Sequence, residues 1–210
     1  MGKVTITKDQ IASLEKVEFQ GVIHVIDSTA KAKMALTYLN KCDRLGFDTE
    51  TRPSFRRGVY HNVALMQISS LDECFLFRLN IIGMPDALKD LLENENIMKV
   101  GLSLKDDFGM INKLATANPH GFVDLQKLVP QYGISDASLQ RIYAIIFDKR
   151  ISKSQRLTNW EAETLTPAQQ SYAAIDAWSC LEIYNYLEKN GFNPKNSKYY
   201  IDETDEAAQV

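Results

Sequence analysis

Cysteine is scarce in this chain of 210 residues: there are three, Cys42, Cys74 and Cys180, an odd number with no Cys-x-x-Cys spacing. That argues against a disulfide scaffold and a structural zinc site and favours a reducing compartment. Histidine is equally scarce, and His24, His61 and His120 are too scattered to form a local metal motif. No apolar run reaches the ~18 residues of a membrane span, and the opening MGKVTITKDQ has no hydrophobic signal region, so no membrane role or secretion is expected and the expected location is cytoplasmic. A basic excess is missing as well, with 24 Lys and Arg against 27 Asp and Glu and a formal net charge of −3. Proteins that hold nucleic acid by bulk charge need the opposite balance, so any nucleic-acid role must sit in a local site. Internal repeats, low-complexity tracts and heptads are absent too, and a monomer is the default expectation. What is present is ordinary for a folded domain: 45% apolar residues, and length for one core but not for two domains of ~150 residues each.

The first twenty or so residues are polar and weakly patterned, and beyond Gly191 the chain turns acidic and rich in Asn and Asp. This reading predicts an N-terminal extension over 1–21, a domain over 22–190 and an acidic tail over 191–210, both ends being appendages to the core. Within the core, Val22 to Ile26 is a β-branched run, and Ser28 offers an N-cap to a helix with Ala32, Ala35, Leu36 and Leu39 on one face. Leu45–Glu50, Val63–Ser69 and Cys74–Leu79 have strand character, the last two joined at hairpin distance. A helix opening at Pro85, a strand over Ile97–Leu102, a helix over Lys105–Leu114 and a short strand over Phe122–Leu125 follow. From Ala137 the pattern is helical, interrupted by the basic stretch Asp148–Thr158, and a long last helix begins at Thr166-Pro167 and runs to about Lys189. Hairpin strands followed by alternating strands and helices predict an α/β domain with a mixed sheet of five to six strands flanked by helices.

Four carboxylates stand out against this framework. Asp48 and Glu50 sit two residues apart at the end of a strand and therefore project to the same side, where like charges repel unless a cation lies between them. Asp107 shares a helical face with Met110, Ile111 and Leu114, whereas Asp106 falls on the wetter side. Asp176 lies on the stripe of Ala173, Cys180, Ile183 and Leu187, an apolar face on which a carboxylate calls for a partner, and Tyr172 precedes it by one turn. Oxygen-only donors suit hard divalent cations such as Mg²⁺ or Mn²⁺ rather than structural zinc. A pair of such ions can stabilise both the attacking and the leaving oxygen of an in-line phosphoryl displacement, which points to phosphodiester hydrolysis.

LGFDTETRPSF, VGLSLKDDF and LTNWEAETLTPAQQSYAAIDAWSCLEIY, in this order, resemble the three exonuclease motifs of the DEDD superfamily in its tyrosine-bearing branch, which includes ribonuclease D and the exonuclease domain of the Werner helicase. The resemblance covers about residues 22 to 188 and extends to Met66-Gln67, Val123-Asp124-Leu125 and Asn159-Trp160-Glu161. It implies a ribonuclease H-like fold, two divalent cations, and removal of nucleotides one at a time from a 3′ end as 5′-monophosphates. Carried over by motif position, Asp48 bridges both cations, Glu50 and Asp176 complete the site on the attacking-water side, Asp107 serves the leaving-group side, and Tyr172 orients the water. For Trp160 and Glu161, docking and capping of the last helix is the expected role.

Basic residues flank these motifs: Arg52, Arg56 and Arg57 after the first, and Lys149, Arg150, Lys153 and Arg156 just before the last helix. Arg52, Arg56, Arg57, Lys153 and Arg156 are candidate contacts to backbone phosphates, and Phe55 and Tyr60 candidate stacking partners for terminal bases, the alternative being simple solvation of charged loops. The expected partner is DNA or RNA with a free 3′ end. A non-catalytic nucleic-acid-binding module on the same scaffold, or a small-nucleotide hydrolase, are the competing expectations.

Overall fold

A computed structural model describes residues 2–202; the last eight positions of the acidic tail lie outside the described residues. The chain opens with β1 (Lys3–Val4), α1 (Lys8–Ala12) and β2 (Glu15–Lys16). The central part then runs β3 (Val22–Ile26), α2 (Thr29–Leu39), β4 (Arg44–Thr51), β5 (Val63–Ser69), β6 (Glu73–Phe77), α3 (Leu79–Ile82), α4 (Asp86–Glu93), β7 (Met98–Gly101), α5 (Leu104–Leu114), β8 (Phe122–Asp124) and α6 (Leu125–Leu128). It finishes with α7 (Leu139–Phe147), β9 (Lys149–Arg150), α8 (Pro167–Asn190) and β10 (Tyr200–Ile201).

Six strands make one mixed sheet in the order β3-β6-β5-β4-β7-β8. The meander β4-β5-β6 is antiparallel, while β3 on β6, β7 on β4 and β8 on β7 are parallel. Strand alternation sends Phe47, Met66, Ile68, Phe75 and Phe77 into a core with α2 and α4, and Leu65, Cys74 and Leu76 into a second one with Ala173 and Ala174 of α8. The result is the flanked α/β sheet expected from the sequence. Local signals start the helices as read: the Ser28 side chain accepts from Lys31 N at 3.3 Å, and Thr166 and Gln169 form a reciprocal capping box ahead of Pro167. The single helical turn at α3 lies partly where strand character was expected, because β6 stops at Phe77.

The flanks are not loose appendages. β1 pairs antiparallel with β10, β2 pairs in parallel with β9, and Val4, Ile6, Val17 and Tyr199 are buried in a cluster with Ile134 and Ile142. The polar look of residues 1–21 hides these isolated apolar anchors, whose partners lie more than a hundred residues away. Among the described residues no helix is long and apolar enough to cross a membrane.

The contact that positions everything functional is between β4 and α8. A Cβ placed on Gly46 would stand 2.0 Å from the Ala177 carbonyl oxygen, so the helix lies directly on the strand backbone. Gly46→Ala therefore has to push α8 off the sheet. Urea denaturation of this variant is expected to show a loss of about 1–3 kcal/mol, and wild-type stability would refute the close contact.

Candidate active site

β4 works on both faces. Asp48 and Glu50 project toward α8, where Asp176 joins them, and carboxylate oxygens of all three lie within 4.8 Å of one another. Asp176 is buried, at 8% exposure, on the apolar stripe that the periodicity indicated. Asp107 stands outside this group of three: half-buried at the start of α5, it accepts a hydrogen bond from the Thr49 hydroxyl, while neighbouring Asp106 is exposed. Thr49 was missed in reading the sequence, although strand alternation alone places its side chain opposite to those of Asp48 and Glu50.

The turn that launches α5 is held by Asp124, whose Oδ1 accepts from Ser103 N at 2.9 Å and from Gln126 N at 3.0 Å. Ser103 sits at φ 59, a left-handed conformation that a non-glycine residue adopts only when its surroundings hold it there. Trp160 is fully buried and packs on the Tyr172 ring at 5.9 Å between centroids. Its segment is held from below by Arg78, which donates to the carbonyls of Ala162 and Glu163, and from α8 by Gln169, which donates to Thr158 Oγ1 at 3.0 Å. Trp160 thus supports Tyr172, as its docking role predicts.

Burial sets the electrostatics. It pushes the Glu50 carboxyl up to about 8, with Asp176 and Asp107 adding to the rise and Arg156 opposing it. Asp176 rises to about 7 for the same first reason, against a hydrogen bond from Tyr172 and the charge of Lys153. Asp107 rises to about 6, burial outweighing the bond from Thr49, and Asp48 lies well above the carboxylate range through burial and the charges of Asp176, Asp107 and Glu50. Burial and the surrounding carboxylates also push the Tyr172 phenol far upward, so it stays a neutral donor. Among the described residues, the ion pairs involve none of Asp48, Glu50, Asp107 and Asp176. Three crowded carboxylates, one buried and two half-buried, offering only oxygen fit a hard divalent cation.

Asp48, Tyr172 and Asp176 line a cleft of about 360 Å³, together with Ser103, Lys153 and Arg156. Of the proposed phosphate contacts, Lys153 and Arg156 therefore reach the cleft. Arg52 instead pairs with Glu161 at 3.2 Å, where His61 also meets the carboxylate. Arg56 and Arg57 are exposed on the same loop, beside Phe55 and Tyr60, which are 82% and 85% exposed.

A raised folded-state pKa makes the protonated form the stabilising one, so these groups favour the folded, metal-free protein below about pH 4 and lose that contribution as pH rises through 6 to 8. A divalent cation binds the deprotonated oxygens and reverses the loss. Thermal unfolding is expected to show a melting-temperature gain with Mn²⁺ that grows from pH 5 to 8. In Asp48→Asn both the metal-free pH trend and the gain shrink, with surface carboxylates cancelling in the difference. A gain that is the same at every pH would contradict this account.

Comparison with known proteins agrees with the geometry. A family model described as a 3′-5′ exonuclease matches residues 23–191. The mouse bifunctional 3′-5′ exonuclease/ATP-dependent helicase WRN is 31% identical over 159 residues, covering 73% of this chain and 11% of the mouse protein. The fold is that of the Aedes aegypti Nibbler EXO domain, with TM-score 0.73, 21% identity and coverage of 87% of this chain and 95% of that one. It is also that of Escherichia coli RNase D, with TM-score 0.72, 22% identity and coverage of 79% and 44%. The first curated relatives are much longer proteins, of which the matched region makes up 11% to 26%. With its sheet, its carboxylate cluster and most of its length inside the family match, the chain belongs to the 3′-5′ exonuclease family of hydrolases.

Proposed function

We propose that this chain removes nucleotides one at a time from the 3′ end of DNA or RNA, releasing nucleoside 5′-monophosphates, with two divalent cations, Mg²⁺ or Mn²⁺. The observation that carries this reading is the trio Asp48, Glu50 and Asp176, two half-buried carboxylates and one buried, with oxygens within 4.8 Å of one another. When bound, two such ions offer positive charge to the attacking and leaving oxygens of an in-line displacement and acidify a coordinated water. Asp48, Glu50 and Asp176 would hold the ions by their clustered oxygens, with Asp107 as the fourth carboxylate, so that the attacking water would be activated on the Glu50 and Asp176 side and the leaving oxygen stabilised on the Asp107 side. The hydrogen bond that Thr49 gives Asp107 orients that carboxylate.

Tyr172 acts by position. As a neutral phenol hydrogen-bonded to Asp176 and beside Glu50, it orients the attacking water through its hydroxyl oxygen rather than taking its proton. Lys153 and Arg156 on the cleft wall meet the phosphate backbone, a local positive rim that the overall charge of −3 conceals. Phe55 and Tyr60 are free to stack on terminal bases. The protein is assigned as a monomer acting in a reducing compartment such as the cytoplasm.

The test is a degradation assay with matched 3′- and 5′-labelled DNA and RNA strands and a titration of Mg²⁺ and Mn²⁺, which reports polarity, sugar preference and metal need together. Removing a carboxylate from the metal set is worth several kcal/mol at the transition state, so Asp48→Ala and Asp176→Ala are each expected to lower turnover by roughly 10³-fold or more. Tyr172→Phe is expected to lose about 10²-fold through misorientation alone. Retained turnover in Asp48→Ala would remove the assignment, and turnover of mononucleotides alone would replace it with a small-nucleotide hydrolase.

A further inference from the structure

We propose that Gln67 is a positioning residue for Asp48: its side-chain amide donates a hydrogen bond to the Asp48 carboxylate and fixes that carboxylate for cation binding. The inference rests on the reading of Asp48 as a metal ligand. Its starting point is a polar group out of place. Gln67 is fully buried in the middle of the sheet, yet neither its Nε2 nor its Oε1 has a hydrogen-bond partner. A buried amide that has given up water for nothing is costly, and such a group calls for a partner.

The register names that partner. Gln67 of β5 lies directly opposite Asp48 of β4. Opposed residues of an antiparallel pair project to the same face with Cβ atoms about 4.5–5.5 Å apart, a gap that a glutamine side chain spans by a change of rotamer or through one water. Trp160, whose Nε1 is likewise buried without a partner, lies in the neighbouring apolar cluster, but as a donor it competes only for the Gln67 Oε1 and leaves the amide Nε2 without an acceptor. Leu76 stands opposite on β6, Leu65 is two residues back on the same face, and both lie in the apolar cluster with Ala173 and Ala174 of α8. Ser69, two residues on, already spends its hydroxyl on the Ser70 carbonyl at 2.7 Å. Of the carboxylates on this face, Glu50 stands opposite Leu65 and only diagonal to Gln67, and Asp48 is the acceptor directly across from it. Residues that hydrogen-bond a metal-ligating carboxylate orient it, and their loss typically weakens metal affinity or activity by about 10–100-fold.

Gln67→Met keeps the length of the side chain and its apolar fit and deletes the donor; Gln67→Leu serves as the second variant should the first fail to fold. Mn²⁺ binding to the full chain is measured by isothermal titration calorimetry and by the electron paramagnetic resonance signal of free Mn²⁺, beside the melting temperature of the metal-free protein. The expected result is Mn²⁺ affinity weaker by about 10–100-fold, with a metal-free melting temperature at or above that of the wild type. A folded variant that binds Mn²⁺ within twofold of wild type overturns the proposal, and so does a loss of affinity that comes with a lower metal-free melting temperature, which marks a packing role. Asp48→Asn in the same titration separates the two readings. If it loses Mn²⁺ while Gln67→Met keeps it, only the role of Gln67 falls; if it binds like wild type, the metal site itself is wrong and this proposal falls with it.

Discussion

The bare contact between β4 and α8 is the constraint on which the rest of the structure depends. At Gly46 the helix backbone rests on the strand backbone with no room for a side chain. Two residues along β4 is Asp48, and one residue before the contact point on α8 is Asp176. A helix held at an ordinary side-chain distance from the sheet would leave these carboxylates separated by water, as two exposed acids with ordinary acidity. Pressed together, they share a small, largely buried volume, and every charge in it raises the cost of the next.

That crowding is a local liability, and the fold offsets it elsewhere. The sheet is covered on both faces, by the α2 and α4 cluster on one side and by α8 with Trp160 and Leu165 on the other. The flanking segments add a further layer, with β1 on β10 and β2 on β9. Apolar burial in these layers opposes the repulsion that α8 meets at Asp176. The same logic explains why the local conformations near the site are held by hydrogen bonds rather than by preference. Ser103 takes a left-handed backbone because Asp124 grips its amide, and the Trp160 segment stays under Tyr172 because Arg78 and Gln169 hold its carbonyls and hydroxyls.

Much of this was legible in the sequence where the information is local. The alternation around Asp48 and Glu50, the helical stripe carrying Asp176, the inward position of Asp107 against exposed Asp106, and the caps at Ser28 and Thr166 all depend on neighbours within a turn or two. What was not legible depends on partners far along the chain. Residues 1–21 look like an appendage until Val4, Ile6 and Val17 find their places beside Ile134 and Tyr199. The basic loops look equivalent in composition, yet Lys153 and Arg156 line the cleft while Arg52 is drawn to Glu161, more than a hundred positions away. Charge content says which residues are available to meet phosphate, and only the fold says which are already engaged.

Thr49 shows the limit from the other direction, since its role follows from a pattern that was visible but had been read for one face only. A strand with side chains of period two sends successive residues to opposite layers, so a D-T-E run delivers two carboxylates to α8 and one hydroxyl to α5. One strand thereby registers two helices against each other: the helix bearing Asp176 through the backbone contact at Gly46, and the helix bearing Asp107 through a single hydrogen bond. The fourth carboxylate is consequently tied to the strand while remaining outside the tight group of three. Burial raises its carboxyl only to about 6, against about 7 for Asp176 and about 8 for Glu50, and the hydroxyl that holds it favours its charged form. A site built this way has three oxygens fixed by proximity and a fourth fixed by a tether, and the difference between them originates in the pleat of β4.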